Sequence, residues 1–243
     1  MPADALHAAL DRLTTQGWPG VLTAGYGPER FARSRELAER WPLIRRAVGL
    51  HPEHLAELTE PQREQVFVQM EAELAHPSVV ALGEIGLDKR YKLPMPLALQ
   101  LTWFERGLLT ATTHKLPVVL HIVGWHGHAL DLLRRLGVPH GGAVHRWSGP
   151  LEMLKDFENL GLGISMSLEP RETPEKRQAL AEQVRADRLL VETDWPFLRM
   201  DYAAAVEKMQ EMAEKIAQWR QVPLDVLREQ VEANARRLYH LEP

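Results

Sequence analysis

Short apolar runs alternate with longer amphipathic ones along the chain. The runs at Val21–Gly25, Ile44–Leu50, Val79–Ile85, Pro117–Ile122, Gly142–His145, Gly161–Ser167 and Arg188–Thr193 are rich in Val, Ile and Leu and bounded by Gly or Pro, which predicts strands buried on both faces. Helical periodicity fills the intervals, at Ala3–Gln16, Pro28–Arg40, Glu60–Ala75, Met95–His114, Gly127–Leu136, Pro150–Asn159 and Pro174–Arg185. Two further helices, Tyr202–Arg220 and Pro223–Leu238, follow the last strand. Such alternation with short connections predicts a parallel sheet built from right-handed crossovers, and so many units favour a TIM-like (β/α) barrel over an open sheet. The first element is a helix, so the strand that should precede it is absent and about seven parallel strands are expected. No Ser/Gly linker interrupts the pattern, and residues 1–243 are expected to form one domain.

In a parallel barrel the C-terminal strand ends face one another around a mouth. Four predicted strands end there in a metal-ligand type: Glu84 in Gly83-Glu84-Ile85-Gly86-Leu87-Asp88, His121 in Val118-Val119-Leu120-His121, His145 in Ala143-Val144-His145-Arg146, and Asp194 in Val191-Glu192-Thr193-Asp194-Trp195-Pro196. Each alone has an ordinary explanation, a hydrogen-bonded structural His or a carboxylate capping the next loop. Four at equivalent positions favour a site, because desolvating such groups without a partner costs several kcal/mol each. A divalent cation is the simplest partner. The mixture of imidazole and carboxylate suits Zn²⁺ or Mn²⁺, with Mg²⁺ favoured by all-oxygen sets.

Composition narrows the chemistry. The 243 residues include no Cys, which excludes disulfides, thiolate metal sites and a Cys nucleophile and fits a reducing, cytoplasmic setting. No apolar run approaches the roughly 20 residues that span a bilayer, and the first residues carry no basic n-region. A net charge of −4 is not that of a protein coating nucleic acid through a broad basic face. It leaves a locally basic mouth open.

The ordered landmarks resemble the TatD family of metal-dependent hydrolases, within the amidohydrolase-like superfamily. They are Gly49-Leu50-His51-Pro52, Gly83-Glu84-Ile85-Gly86-Leu87-Asp88, Gln100, Leu116-Pro117-Val118-Val119-Leu120-His121, His145-Arg146-Trp147-Ser148-Gly149, Glu192-Thr193-Asp194-Trp195-Pro196 and Asn234-Ala235-Arg236-Arg237-Leu238-Tyr239. The resemblance implies a TIM-like barrel with one or two divalent metals that hydrolyses phosphodiester bonds, commonly as a DNase acting on strand ends. By position, Glu84 would bridge or ligate metal, His121 and His145 would be ligands of one ion, and Asp194 would bind the other and accept a proton from the attacking water. The metal would be Zn, Mn or Mg, and DNA or another phosphodiester the substrate.

The sequence departs from the family pattern in several places. The family opens with a strand ending in His-x-His, two imidazoles on one face because strand side chains repeat every second residue, and no such pair occurs here. His7 lies in the first helical pattern, and His126-Gly127-His128 falls at a loop or helix start after the fifth family strand. The family's Arg two residues past the His121 position is Val123. Arg146 either binds phosphate in its place or solvates the rim, and Trp147 and Trp195 either stack on a base or pack. His51 and His54 are expected in a loop or pocket role near substrate rather than as direct ligands. Lys89, Arg90 and Lys92 form either a solvated loop or a phosphate-steering rim.

A missing strand would expose sheet edges unless another segment covers them. Three accounts follow: the sequence starts downstream of the true start, another subunit supplies the strand, or one metal centre has been lost. The expected function is a metal-dependent phosphodiesterase or deoxyribonuclease using metal-activated water. The alternatives are a catalytically impaired barrel acting as a binding or complex subunit, with a protein partner or self-association covering the open edge, and a hydrolase of small amides or esters.

Overall fold

The computed structural model describes residues 3–15, 20–167, 173–194 and 202–241. Among these, seven strands make one sheet in chain order: β1 (Val21–Gly25), β2 (Ile44–Val48), β3 (Val79–Asp88), β4 (Val118–Val123), β5 (Gly142–Val144), β6 (Gly163–Met166) and β7 (Leu189–Val191). Every neighbouring pair is parallel. The helices are α1 (Ala3–Thr15), α2 (Pro28–Arg40), α3 (Pro52–Ala56), α4 (Glu60–Glu73), α5 (Leu97–His114), α6 (His126–Leu136), α7 (Leu154–Asn159), α8 (Pro174–Gln183), α9 (Tyr202–Arg220) and α10 (Leu224–Leu238). The single turn α3 was not expected. It starts where His51 accepts the Glu53 N–H at 3.0 Å and Pro52 occupies the first turn.

β1 and β7 share no ladder, so the sheet is a curled half-barrel, as the absent first strand implied. The helical layer nevertheless continues across the interval. α1, which precedes β1, packs on α9, which follows β7, with Arg12 and Glu207 paired at 3.2 Å and Ala9 and Leu10 buried. β1 remains the most exposed strand, and its Leu22 is 37% exposed.

The two faces of the sheet differ in side-chain size, as the two-residue period of a strand allows. Outward, Val48, Leu82, Val118, Leu120, Val144, Ile164 and Leu189 join the main core against the helices. Inward, the register sets Ala24 beside Ala47 and Ala47 beside Ala81, and Val119 beside Ala143 beside Gly163. These small residues leave room inside the curl. Leu238 and Tyr239, at the end of α10, fill it, with Leu241 packed alongside. A Cβ on Gly163 would lie 2.5 Å from Leu238 Cδ1, so any larger residue there would oblige the Leu238 side chain to shift. Asn234 pins α10 in place, donating to the Ala186 and Leu189 carbonyls at 2.7 and 2.9 Å.

One charged group is buried on the outer face. Arg46 of β2 is fully buried, and it donates to Ser34 Oγ at 3.0 Å, the Phe31 carbonyl at 2.9 Å and Glu73 Oε2 at 2.9 Å. Glu73 is also paired with Arg35. The two guanidinium groups hold its carboxyl below the usual range, against the opposing effect of burial.

Candidate metal centre

The site lies at the C-terminal ends of the strands, on the inner face. Glu84 reaches it through an irregularity in the β3–β4 register, between Gly83 and Ile85, which turns its side chain out of the regular pleat. Gly86, two residues on, has φ +150° and passes so close to β4 that a Cβ would lie 1.9 Å from the His121 carbonyl oxygen, which gives the second glycine of the Gly-Glu-Ile-Gly-Leu-Asp motif a steric reason. His121 belongs to β4, His145 follows β5 with its N–H on the Leu120 carbonyl at 3.0 Å, and Asp194 follows β7.

These side chains converge. Glu84 Oε2 lies 3.7 Å from His51 Nε2, 3.7 Å from His121 Nδ1 and 3.4 Å from His145 Nε2. His121 Nδ1 and His145 Nε2 face each other at 2.9 Å. Two groups of three donors result, His51 with Glu84 and His121, and Glu84 with His145 and Asp194, each with its ligand atoms within 4.8 Å of one another. Glu84 belongs to both. His51 stands against this cluster in a definite tautomer: its Nδ1 accepts the Glu53 N–H, so the neutral ring carries its proton on Nε2, which faces Glu84.

A surrounding layer fixes the rings. Asp88 Oδ2 lies 2.9 Å from His121 Nε2 and orients that ring with Nδ1 toward Glu84. Asp88 is in turn gripped by Arg90, whose Nε lies 3.0 and 2.9 Å from its two carboxylate oxygens. Although burial opposes it, hydrogen bonds from His121 and Arg90 pull the Asp88 carboxyl down to about 2. Gln100 closes the arrangement, accepting the Asp88 N–H at 2.7 Å and donating to the Asp88 and Met95 carbonyls at 3.0 and 2.8 Å. On the other side, His145 Nδ1 lies 3.5 Å from Glu192 Oε1.

Charge is distributed unevenly. Burial, reinforced by His121, His145, Arg90 and Arg146, lowers the His51 pKa well below its ordinary value and leaves a neutral ring. Burial likewise lowers His121, although Asp88 opposes it. Burial would also lower His145, but Glu84 and Glu192 overcome it and lift the ring to about 10. A proton on His145 therefore answers the buried carboxylates, and a cation bound by the His145 Nε2 lone pair would displace it. Asp194 is pushed up to about 6 by burial, aided by Glu192 and Glu84, despite Arg146 Nη1 at 2.7 Å from its Oδ2. Two nitrogen donors and a shared carboxylate on convergent, inward-facing positions fit a divalent cation.

The remaining expected residues fall in different surroundings. Trp147 is 2% exposed, with its ring 5.3 Å from His126 and 5.1 Å from that of Phe157, so it is a core residue and offers no stacking surface. His126 is buried beside it and His128 is exposed on α6, and neither joins the donor groups. Arg90 and Arg146 are both engaged by carboxylates of the site, Arg90 from an exposed position and Arg146 from a half-buried one. Lys89 and Lys92 are exposed. Trp195 and Pro196 lie outside the described residues. Asp88 and Glu192 were not expected as site residues. Their parity with Glu84 and Asp194, two or four positions along the same strand end, was the available signal.

The comparison with known proteins agrees with this geometry. The model of the family described as TatD related DNase matches residues 3–240. The chain belongs to the TatD family. An exonuclease from Edwardsiella piscicida, named 3'-5' ssDNA/RNA exonuclease TatD, is 31% identical over 244 residues, 95% of this chain and 91% of that one. The uncharacterized metal-dependent hydrolase YjjV of Escherichia coli K12 is 30% identical over 229 residues, 87% of each. The crystal structure of the Escherichia coli YjjV, a TatD homolog, superposes with a TM-score of 0.86 at 26% identity and covers 100% of this chain and 95% of that one. Candidate metal-ligand groups are present among the described residues, and no helix among them is long and apolar enough to cross a membrane.

Proposed function

We propose that this chain is a metal-dependent phosphodiesterase that removes nucleotides from the 3′ ends of single-stranded DNA or RNA. The observation that carries the reading is Glu84, shared between two three-donor groups on the inner face of the sheet. Glu84 and His121, with His51 alongside, would hold one cation, and Glu84, His145 and Asp194 a second. The donor set favours Zn²⁺ or Mn²⁺ over Mg²⁺. A bound divalent cation would lower the pKa of the attacking water and neutralise charge on the phosphoryl oxygens.

The chain's own residues do the rest. Asp194, held near 6 by its buried surroundings, accepts a proton from the attacking water at neutral pH. Arg146 keeps that carboxylate oriented from 2.7 Å. Asp88 holds His121 in the tautomer that presents Nδ1, and Glu192, facing Nδ1 of His145, orients that ring with Nε2 toward Glu84. The non-catalytic subunit is not favoured, since the donors persist without the His-x-His strand and the matching relatives include exonucleases. Self-association over the β1 edge stands as a separate proposal, checked by sedimentation of the purified chain.

Elemental analysis and oligonucleotide cleavage test the main reading together. About two Zn²⁺ or Mn²⁺ ions per chain, as expected of a shared-carboxylate site, and progressive 3′ shortening of single strands are expected, both lost in Glu84→Ala. Metal-loaded protein that leaves DNA and RNA intact would sink it.

A further inference from the structure

Substrate recognition has no obvious cation at the centre of the site. Val123 stands where the family resemblance leads one to expect Arg, Arg146 pairs with Asp194, and Arg90 brackets Asp88. Arg30, in the first turn of α2, differs from these. Among the described residues no carboxylate lies within ion-pair distance of it, and its guanidinium carbon instead sits 4.2 Å from the centroid of the Tyr26 ring. Arg30 is exposed and Tyr26 half-buried.

Their position matters more than their pairing. Tyr26 directly follows β1, at the same strand-end level as the donors, and its ring centroid is 5.6 Å from that of His51. The His51 ring is 4.1 Å from that of His121, and its Nε2 is 3.7 Å from Glu84. An aromatic face and an uncommitted cation therefore stand one imidazole ring away from the donor cluster. In a nucleotide, base and phosphate are similarly separated by one sugar. Trp147, one of the two aromatic residues that sequence alone brought forward, is sealed in the core and cannot take this role.

Resting on the phosphodiesterase reading, we infer that Tyr26 and Arg30 form the subsite for the terminal nucleotide of a single strand. The base stacks on the Tyr26 face that the guanidinium now covers, and the released Arg30 takes the neighbouring phosphate. Every base has a π-face, so this subsite grips single strands without selecting sequence. Arg30 acts as a placeholder that keeps the ring face covered until substrate arrives.

The test measures binding of a single-stranded oligonucleotide with a non-hydrolysable terminal phosphorothioate to metal-loaded protein, by fluorescence anisotropy at several salt concentrations. Tyr26→Ala should weaken binding about tenfold, the usual scale of one base–aromatic stack, while Tyr26→Phe binds like wild type. An oligonucleotide with an abasic terminal residue should not distinguish Tyr26→Ala from wild type. Arg30→Ala, an exposed change that leaves folding intact, should reduce the salt slope by about 0.7. Unchanged affinity in Tyr26→Ala and an unchanged slope in Arg30→Ala, in a protein that still cleaves oligonucleotides, would overturn the subsite alone. Wild-type protein that neither binds nor cleaves would overturn the subsite and the phosphodiesterase reading together.

Discussion

On the outer face of the sheet, Arg46 is buried with its donors each facing an acceptor: a hydroxyl, a carbonyl and the Glu73 carboxylate. On the inner face, at the strand ends, Glu84, His51, His121 and His145 are also enclosed, yet the Glu84 carboxylate and the His121 Nδ1 lone pair converge on one cluster. Both groups defy the rule that charge belongs outside. The first is complete within the protein and serves the packing of α2 and α4 on β2. The second is short of positive charge: the His145 proton and Arg146 face Glu84 and Asp194, and Arg90 is spent on Asp88. Burial of charge alone thus does not mark a site, whereas an excess of convergent acceptors does.

Substitutions should separate the two. The largest effect is expected from Glu84→Gln, which removes the shared ligand: turnover of oligonucleotides and tight metal binding should both vanish, while the melting temperature of the metal-free protein does not fall. A drop in that temperature would place Glu84 with Arg46 as a packing group. Asp194→Asn should cost about 10²–10⁴ in kcat, the range of a lost general base. In wild type, rate should rise with pH as Asp194 ionises, with the limb below the value of about 6 that the metal-free site gives it because a bound cation favours the carboxylate, and the variant should lack this limb. A limb that persists in Asp194→Asn would assign the proton to another group.

Glu73→Gln should leave metal content unchanged and destabilise the fold by about 3–5 kcal/mol, because Arg46 keeps its buried charge without its partner. The folded carboxyl is lowered, so its contribution is present above the ordinary carboxylate value and fades as pH falls through the lowered one. Denaturant titrations of wild type and variant should therefore converge in acid, and a constant gap would contradict the ion pair. The smallest change is expected from Asp88→Asn. It should weaken metal affinity about 10–100-fold, the usual range for a partner behind a ligating imidazole, and direct calorimetry with Zn²⁺ would detect it.

The sheet was legible because strands buried on both faces write themselves as apolar runs, and each of the seven lies where its run does. β3 continues to Asp88 rather than ending at Ile85, since the glycines that look like a terminus allow close passage along β4. Glu84, His121, His145 and Asp194 were recognisable from their place at strand ends. Asp88 was hidden by its role: it contacts a ligand, so it shares the motif without sharing the chemistry. Arg90 and Arg146 read as substrate contacts because sequence shows a charge but not what answers it. Arg46 and Glu73, distant in sequence, showed nothing of their pairing.

The open interval between β7 and β1 also bears on motion. Elsewhere a hydrogen-bond ladder sets the spacing of neighbouring strands, but across this interval, among the described residues, side-chain packing of α1 on α9 and of the α10 end inside the curl does so, and packed elements slide where ladders cannot. The half-barrel can therefore breathe along one seam, with β1 as its moving margin and Tyr26 carried on it. Amide hydrogens of β1 should exchange with solvent well before those of β4, which lies between two paired neighbours.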